Sequence, residues 1–160
     1  MDTQTQKIMF SSKSDEWGTP TSFFNKLNKR FDFTLDPCST PNNKKCDKFY
    51  TIEDDGLSKS WKNERVFVNP PYGNIAAWVE KAYLESCKGA FVALLIPSRT
   101  DTKYWHDFIM PSASHIYFIR GRLKFENGSA TNNAAPFPSV VVTFGGMRWG
   151  VGPTIQTITR

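Results

Sequence analysis
Apolar residues return at helical spacing after Thr19-Pro20: Phe23, Phe24, Leu27 and Phe31 share one side of a 3.6-residue turn. The pattern predicts a helix with Thr19 as N-cap and Pro20 at its first position. Phe33-Thr34-Leu35 reads as a short strand ended by Asp36-Pro37, and the Asn-, Lys- and Pro-rich stretch Cys38 to Lys48 reads as a loop. Val66-Phe67-Val68 predicts a second strand, closed by Asn69-Pro70-Pro71-Tyr72-Gly73. A helix is expected from about Ile75 to Glu85, with Trp78, Val79 and Ala82 on one face. Ala90 to Ile96 is almost wholly apolar, as a strand buried on both faces should be. It stops at Pro97, and a further helix is expected from Lys103 to about Ile109. Ile116 to Ile119 and Ser139 to Phe144 supply two later strands.

Strands alternating with helices predict an α/β fold with a Rossmann-like, mostly parallel sheet and helices on both faces. The late strands lack intervening helices, which predicts an antiparallel hairpin at one edge. No repeat or linker divides the 160 residues, so residues 16–160 are expected to form one domain, with residues 1–15 as a flexible polar arm.

Composition narrows the function. No apolar run approaches the roughly 20 residues that span a bilayer, and the N-terminus lacks a secretory layout, so no membrane association and a cytoplasmic protein are expected. Cys38, Cys46 and Cys87 are odd in number and form no C-x-x-C pair, which argues against a disulfide framework or a zinc site. His106 and His115 have no ligand spacing with them, so both are read as structural and no metal is expected. The net charge of +5 favours a polyanionic partner.

The chemistry centres on Asn69-Pro70-Pro71-Tyr72. Such a four-residue string arises by chance in on the order of one comparable chain in two thousand. Its place after a strand of an α/β sheet adds weight, because ligands bind at the carboxyl edge. An adenine amino nitrogen is a poor nucleophile, since its lone pair is delocalised into the ring. The Asn69 side-chain carbonyl and the Pro70 backbone carbonyl could both accept hydrogen bonds from that amino group and free the lone pair. Proline suits the second role because it offers an acceptor and no competing donor. Tyr72 could stack on the base, a contact worth about 1–3 kcal/mol. The competing reading of Pro70-Pro71-Tyr72 is a rigid turn with an incidental aromatic.

At these residues the chain resembles the amino methyltransferases with a D/N/S-P-P-Y/F motif, and more closely the phage-type Dam family of DNA N6-adenine methyltransferases. The resemblance runs over roughly residues 16–144. It includes Glu16-Trp17-Gly18-Thr19-Pro20, Leu35-Asp36-Pro37-Cys38, Asp55-Gly56-Leu57 with Trp61, and Asn69 to Gly73. It continues through Ile96 to Asp101, Gly121 to Phe125 and Pro136 to Ser139. The resemblance implies a class I fold, S-adenosylmethionine as methyl donor, and DNA as substrate, in a bacterial host cytoplasm if phage-encoded. It also implies that Asp36, with Pro37 and Cys38, opens the cofactor loop and pairs with the cofactor's ammonium group. Asp55 would accept from the cofactor's adenine amino group, and Trp17, Thr19 and Asn69 would lie near the cofactor. The usual glycine-rich loop is absent, and Cys38-Ser39-Thr40-Pro41 stands in its place.

Other positions suggest contacts to DNA. Arg99 could hold a phosphate or pair with Asp101. Arg120, Arg122 and Lys124 alternate with Gly121, Leu123 and Phe125, so an extended segment would present the three cations as a phosphate rail or as a solvated face. Phe137, between prolines, could touch a flipped base or pack in the core. The expected reaction is methyl transfer to adenine N6, with no obligate protein partner. The alternatives are a catalytically silent DNA-binding protein on the same fold, a protein glutamine methyltransferase and an RNA adenine methyltransferase.

Overall fold
The computed structural model describes residues 18–126, 134–146 and 151–160; the expected arm, residues 1–15, lies outside them. Seven strands form one mixed sheet: β1 (Leu35–Asp36), β2 (Lys48–Phe49), β3 (Arg65–Val68), β4 (Phe91–Pro97), β5 (His115–Arg120), β6 (Ser139–Phe144) and β7 (Thr154–Thr159). Their order across the sheet is β2-β1-β3-β4-β6-β5-β7. All neighbours are parallel except β6, which runs antiparallel to both β4 and β5.

Helices cover both faces. On one side α1 (Thr21–Phe31) buries Phe23, Phe24, Leu27 and Phe31. They pack against Phe33, Phe67, Ala93, Leu95, Tyr117 and Val141. Each such side chain contributes about 1.5–3 kcal/mol of burial, which holds the helix to the sheet. On the other side α2 (Ile75–Ser86) places Trp78, Val79 and Ala82 against Val66, Val68, Val92 and Leu94. The π-helical turn Trp105–Ile109, continued by α3 (Met110–Ser112), packs on that same face through Trp105 and Ile109. Residues of β3 and β4 alternate between the two clusters, as the two-residue period of a strand requires.

Two expectations are corrected. The antiparallel strand is present, but it lies inside the sheet and not in an edge hairpin. Val140, Val141, Val142 and Phe144 are all fully buried, and a strand apolar on both faces needs neighbours on both sides. The edge is the parallel β7, whose side chains alternate between half-buried and exposed. At the start of α1, Pro20 and not Thr19 is the N-cap residue. The orphan N–H of Thr21 donates to Glu126 Oε1 at 2.9 Å, so a distant carboxylate does the work of a local cap.

β2 begins on Lys48, the last residue of the segment read as a loop. Its two residues pair with β1, and Tyr50 N–H donates to the Asp36 carbonyl. This brings residues 50–57 alongside the end of β1.

Candidate active site
The ends of β1, β3 and β4 and the start of β6 share one edge of the sheet. Thus Asp36-Pro37-Cys38, Asn69 to Tyr72, Ser98-Arg99 and Pro136 to Pro138 emerge side by side. The Ser98 N–H donates to the Pro138 carbonyl at 2.9 Å and ties the last two segments together.

A cavity of about 450 Å³ opens between the first two. Thr19, Asp36, Pro37, Cys38, Asp55, Asn69 and Pro71 all line it. The fold therefore gathers almost every residue expected at a cofactor; Trp17 lies outside the described residues. The volume is within the range of small-molecule sites, about 300–1,000 Å³.

Asp36 is 4% exposed. Burial pushes its carboxyl up to about 6, against hydrogen bonds from the Lys45 and Cys38 backbone amides that favour the anion. The Lys45 N–H lies 3.0 Å from Asp36 Oδ2. The loop manages without glycines because its polar side chains and backbone close it. The Thr40 N–H donates to Asn43 Oδ1 at 2.7 Å, and the Asn43 and Lys44 amides return to the Thr40 carbonyl. Ser39 N–H donates to the Tyr50 carbonyl, fixing the loop to the strand beside it.

Asp55 sits on the exposed rim with a positive φ of 52°. Its neighbour Gly56 is the glycine the site needs. A Cβ there would fall 2.0 Å from the Pro37 carbonyl oxygen, so the two cavity walls can meet only without a side chain. The Trp61 indole N–H donates to the Gly56 carbonyl and holds this wall from below.

Asn69 is fixed at two points. Its side-chain Nδ2 donates to Thr19 Oγ1 at 3.1 Å, and its backbone carbonyl accepts from the Cys38 thiol at 3.2 Å. Thr19 is buried, and its hydroxyl serves the Asn69 amide rather than a helix end. Burial, with the Asp36 charge, pushes the Cys38 thiol up, so it remains a protonated donor. Pro70 is buried, while Pro71 is exposed at the cavity.

Tyr72 is half-buried and turns away from this cavity into an aromatic group. Its ring meets Phe137 edge-on at 5.2 Å and Phe125 at 6.4 Å between centroids. Burial raises its phenol, partly opposed by the Arg99 charge. Phe137 therefore stands beside the Asn-Pro-Pro-Tyr turn and packs on the α1-side core as well. Arg99 enters no ion pair among the described residues, so the expected alternative of pairing with Asp101 is not realised.

The expected cationic face is split. Gly121, with φ +84°, interrupts the extended run, leaving Arg120 at the end of β5. Arg122 and Lys124 stay exposed beyond it, while Leu123 and Phe125 between them are buried.

Ser39, Lys45, Leu57 and Trp78 also line the cavity, a place the sequence pattern did not give them. Lys45 belongs to a lysine-rich loop in which nothing local says which lysine turns inward. Among the described residues no cluster of His, Cys, Asp or Glu is arranged to hold a metal. No helix among them is long and apolar enough to cross a membrane.

Comparison with known proteins gives a consistent picture. A family model described as DNA N-6-adenine-methyltransferase (Dam) matches residues 6–149. The chain is 32% identical over 111 residues to a DNA N-6-adenine-methyltransferase of Escherichia phage T1, covering 68% of this chain and 46% of that protein. It therefore spans about half the length of that relative. A DNA N-6-adenine-methyltransferase of Haemophilus phage HP1 (strain HP1c1) is 29% identical over 119 residues, covering 72% and 69% of the two chains. Among solved structures, a Listeria monocytogenes protein described as a class I S-adenosylmethionine-dependent methyltransferase superposes with a TM-score of 0.58. That match covers 96% of this chain and 69% of the other, and at 10% identity it bears on the fold.

Proposed function
The chain belongs to the DNA N-6-adenine-methyltransferase (Dam) family, and on that premise we propose that it methylates the exocyclic amino group of adenine in DNA. The observation that carries this reading is the seating of Asn69 at a sheet-edge cavity, with its amide and its carbonyl each held by a neighbouring segment.

The cavity suits S-adenosylmethionine on the chemistry of its lining. A buried carboxylate, Asp36, offers a partner for an ammonium group, and Asp55 offers an acceptor for an adenine amino group. Pro37, Leu57, Ile52 and Trp78 supply apolar surface between them. When bound there, S-adenosylmethionine supplies an electrophilic methyl sulfonium. Asp36 would anchor the amino-acid end, Asp55 the nucleoside end, and Asn69 would border the reacting centre.

Asn69 and Pro70 would hold the target amine. Because Nδ2 of Asn69 is engaged by Thr19, its Oδ1 is the prong that serves as acceptor, and the Pro70 carbonyl supplies the second acceptor. Two acceptors draw the amine hydrogens toward the turn and favour a pyramidal nitrogen with an exposed lone pair. Tyr72 and Phe137 offer an apolar surface for the base, which must leave the duplex because the stack hides its amino group. The nitrogen's proton can leave to water after transfer, so no strong general base is needed. Arg99, Arg120, Arg122 and Lys124 lie at or beyond the ends of β4 and β5 and would meet phosphates. In this reading residues 16–160 act as one catalytic domain.

Asn69→Ala tests the core of the proposal. The single-turnover rate on DNA should fall at least about 100-fold, as when a preorganised polar contact is removed. Cofactor affinity, measured by calorimetry, should stay within a few-fold. A variant that methylates DNA at close to the wild-type rate would remove Asn69 from the mechanism.

A further inference from the structure
The cavity wall that carries Asp36 also carries a cation. Lys45 lines the same cavity, nine positions along the chain, and its backbone amide is the one that binds Asp36 Oδ2. Its side chain is 14% exposed. Yet its ammonium lies 3.4 Å from Thr21 Oγ1 and 3.8 Å from Glu126 Oε2. Both distances exceed the roughly 2.7–2.9 Å of a charge-assisted hydrogen bond. The lysines that pair with Glu85 sit at 2.8 and 3.0 Å, and Lys48 lies 2.5 Å from Glu64. Glu126 is itself committed elsewhere: its Oε1 caps Thr21, and its side chain is 55% exposed. A lysine side chain this buried, with contacts this long to its charge, leaves the ammonium able to take up an anion placed in the cavity.

We infer that Lys45 is a specificity-determining residue that binds the α-carboxylate of the cofactor's amino-acid end, opposite Asp36 at the ammonium. A carboxylate and an ammonium on one wall match the two charges of an α-amino acid, one sign against each. The inference rests on the reading that S-adenosylmethionine occupies this cavity. It adds that the site selects for an intact amino-acid zwitterion, so a ligand with the same sulfonium, ammonium and nucleoside but no carboxylate is rejected.

Calorimetry on the full chain with S-adenosylmethionine and with decarboxylated S-adenosylmethionine tests it. The wild type should bind the carboxylated form at least about tenfold more tightly, a difference of one good charged contact. Lys45→Met should bind the two alike, weakened only toward the carboxylated form, while Lys45→Arg should keep the preference. Thermal melts of the variants would check that each is folded. A wild type that binds both ligands equally overturns the inference without any variant. So does a Lys45→Met that keeps the preference or weakens toward both ligands equally. A wild type that binds neither ligand sinks the S-adenosylmethionine reading itself, which separates that failure from a failure of Lys45.

Discussion
Asp36 stands at the end of a two-residue strand, 4% exposed, with its carboxyl raised to about 6 by burial. An acid raised in the folded state binds its proton more tightly there than in the unfolded chain. It therefore costs stability as pH climbs from about 4 toward 6. If Asp36 holds the cofactor's ammonium, binding requires the anion. Affinity for S-adenosylmethionine should then rise by up to about tenfold per pH unit as pH approaches 6, and level off above it. Titration calorimetry from pH 5 to 8 would show this, and a flat profile would take Asp36 away from the ammonium. At this scale the sequence was readable where chemistry is local. Asn69-Pro70-Pro71-Tyr72 announces itself because four adjacent residues carry the whole argument. Thr19 accepting from Asn69, or Lys45 bracing Asp36, spans 50 and 9 positions respectively and leaves no periodic trace.

Among the elements, α2 has a hidden support. Glu85, in its last turn, is 1% exposed and accepts from the Trp61 backbone N–H, from Lys81 and from Lys88. Burial alone would raise this carboxyl, but the hydrogen bonds from Lys81, Trp61 and Lys88 overcome it and hold it at about 2. It thus anchors α2 to the segment before β3 that also supports Gly56. Glu85→Gln should lower stability by about 3 kcal/mol near pH 7, from the pKa displacement and the charge left facing two lysines. A carboxyl depressed in the folded state contributes fully above its unfolded value. The wild-type advantage should therefore shrink as pH falls below about 4.5 and vanish near 2. Denaturant melts of the two proteins across that range would check it; an unchanged midpoint at pH 7 would make the network incidental. The longer elements were legible from periodicity: β4, β6, α1 and α2 lie within a residue or two of their expected bounds. β2 was not, since two residues carry no pattern and its pairing partner is set by tertiary contact. The interior place of β6 was in principle visible, because Ser139-Val-Val-Val-Thr-Phe144 is too uniformly apolar for an edge.

For the molecule as a whole, the sheet sorts function by strand end. The parallel strands deliver the cavity wall with Asp36, the Asn-Pro-Pro-Tyr turn and Arg99 to one edge, and the antiparallel β6 brings Phe137 to that edge from its own beginning. The exposed Arg122 and Lys124 follow the end of β5, so the positive charge foreseen in the sequence lies beyond the same edge. Such an arrangement suits a polyanion whose reactive base must reach a cavity already holding a methyl donor. The most direct measurement supplies methyl-labelled S-adenosylmethionine to the purified chain with duplex DNA, RNA and glutamine-containing peptides in separate reactions. Modified nucleosides and residues are then identified by mass. The account predicts N6-methyladenine in the DNA; label only in RNA or in glutamine, or no transfer by a folded protein that binds the cofactor, would contradict it.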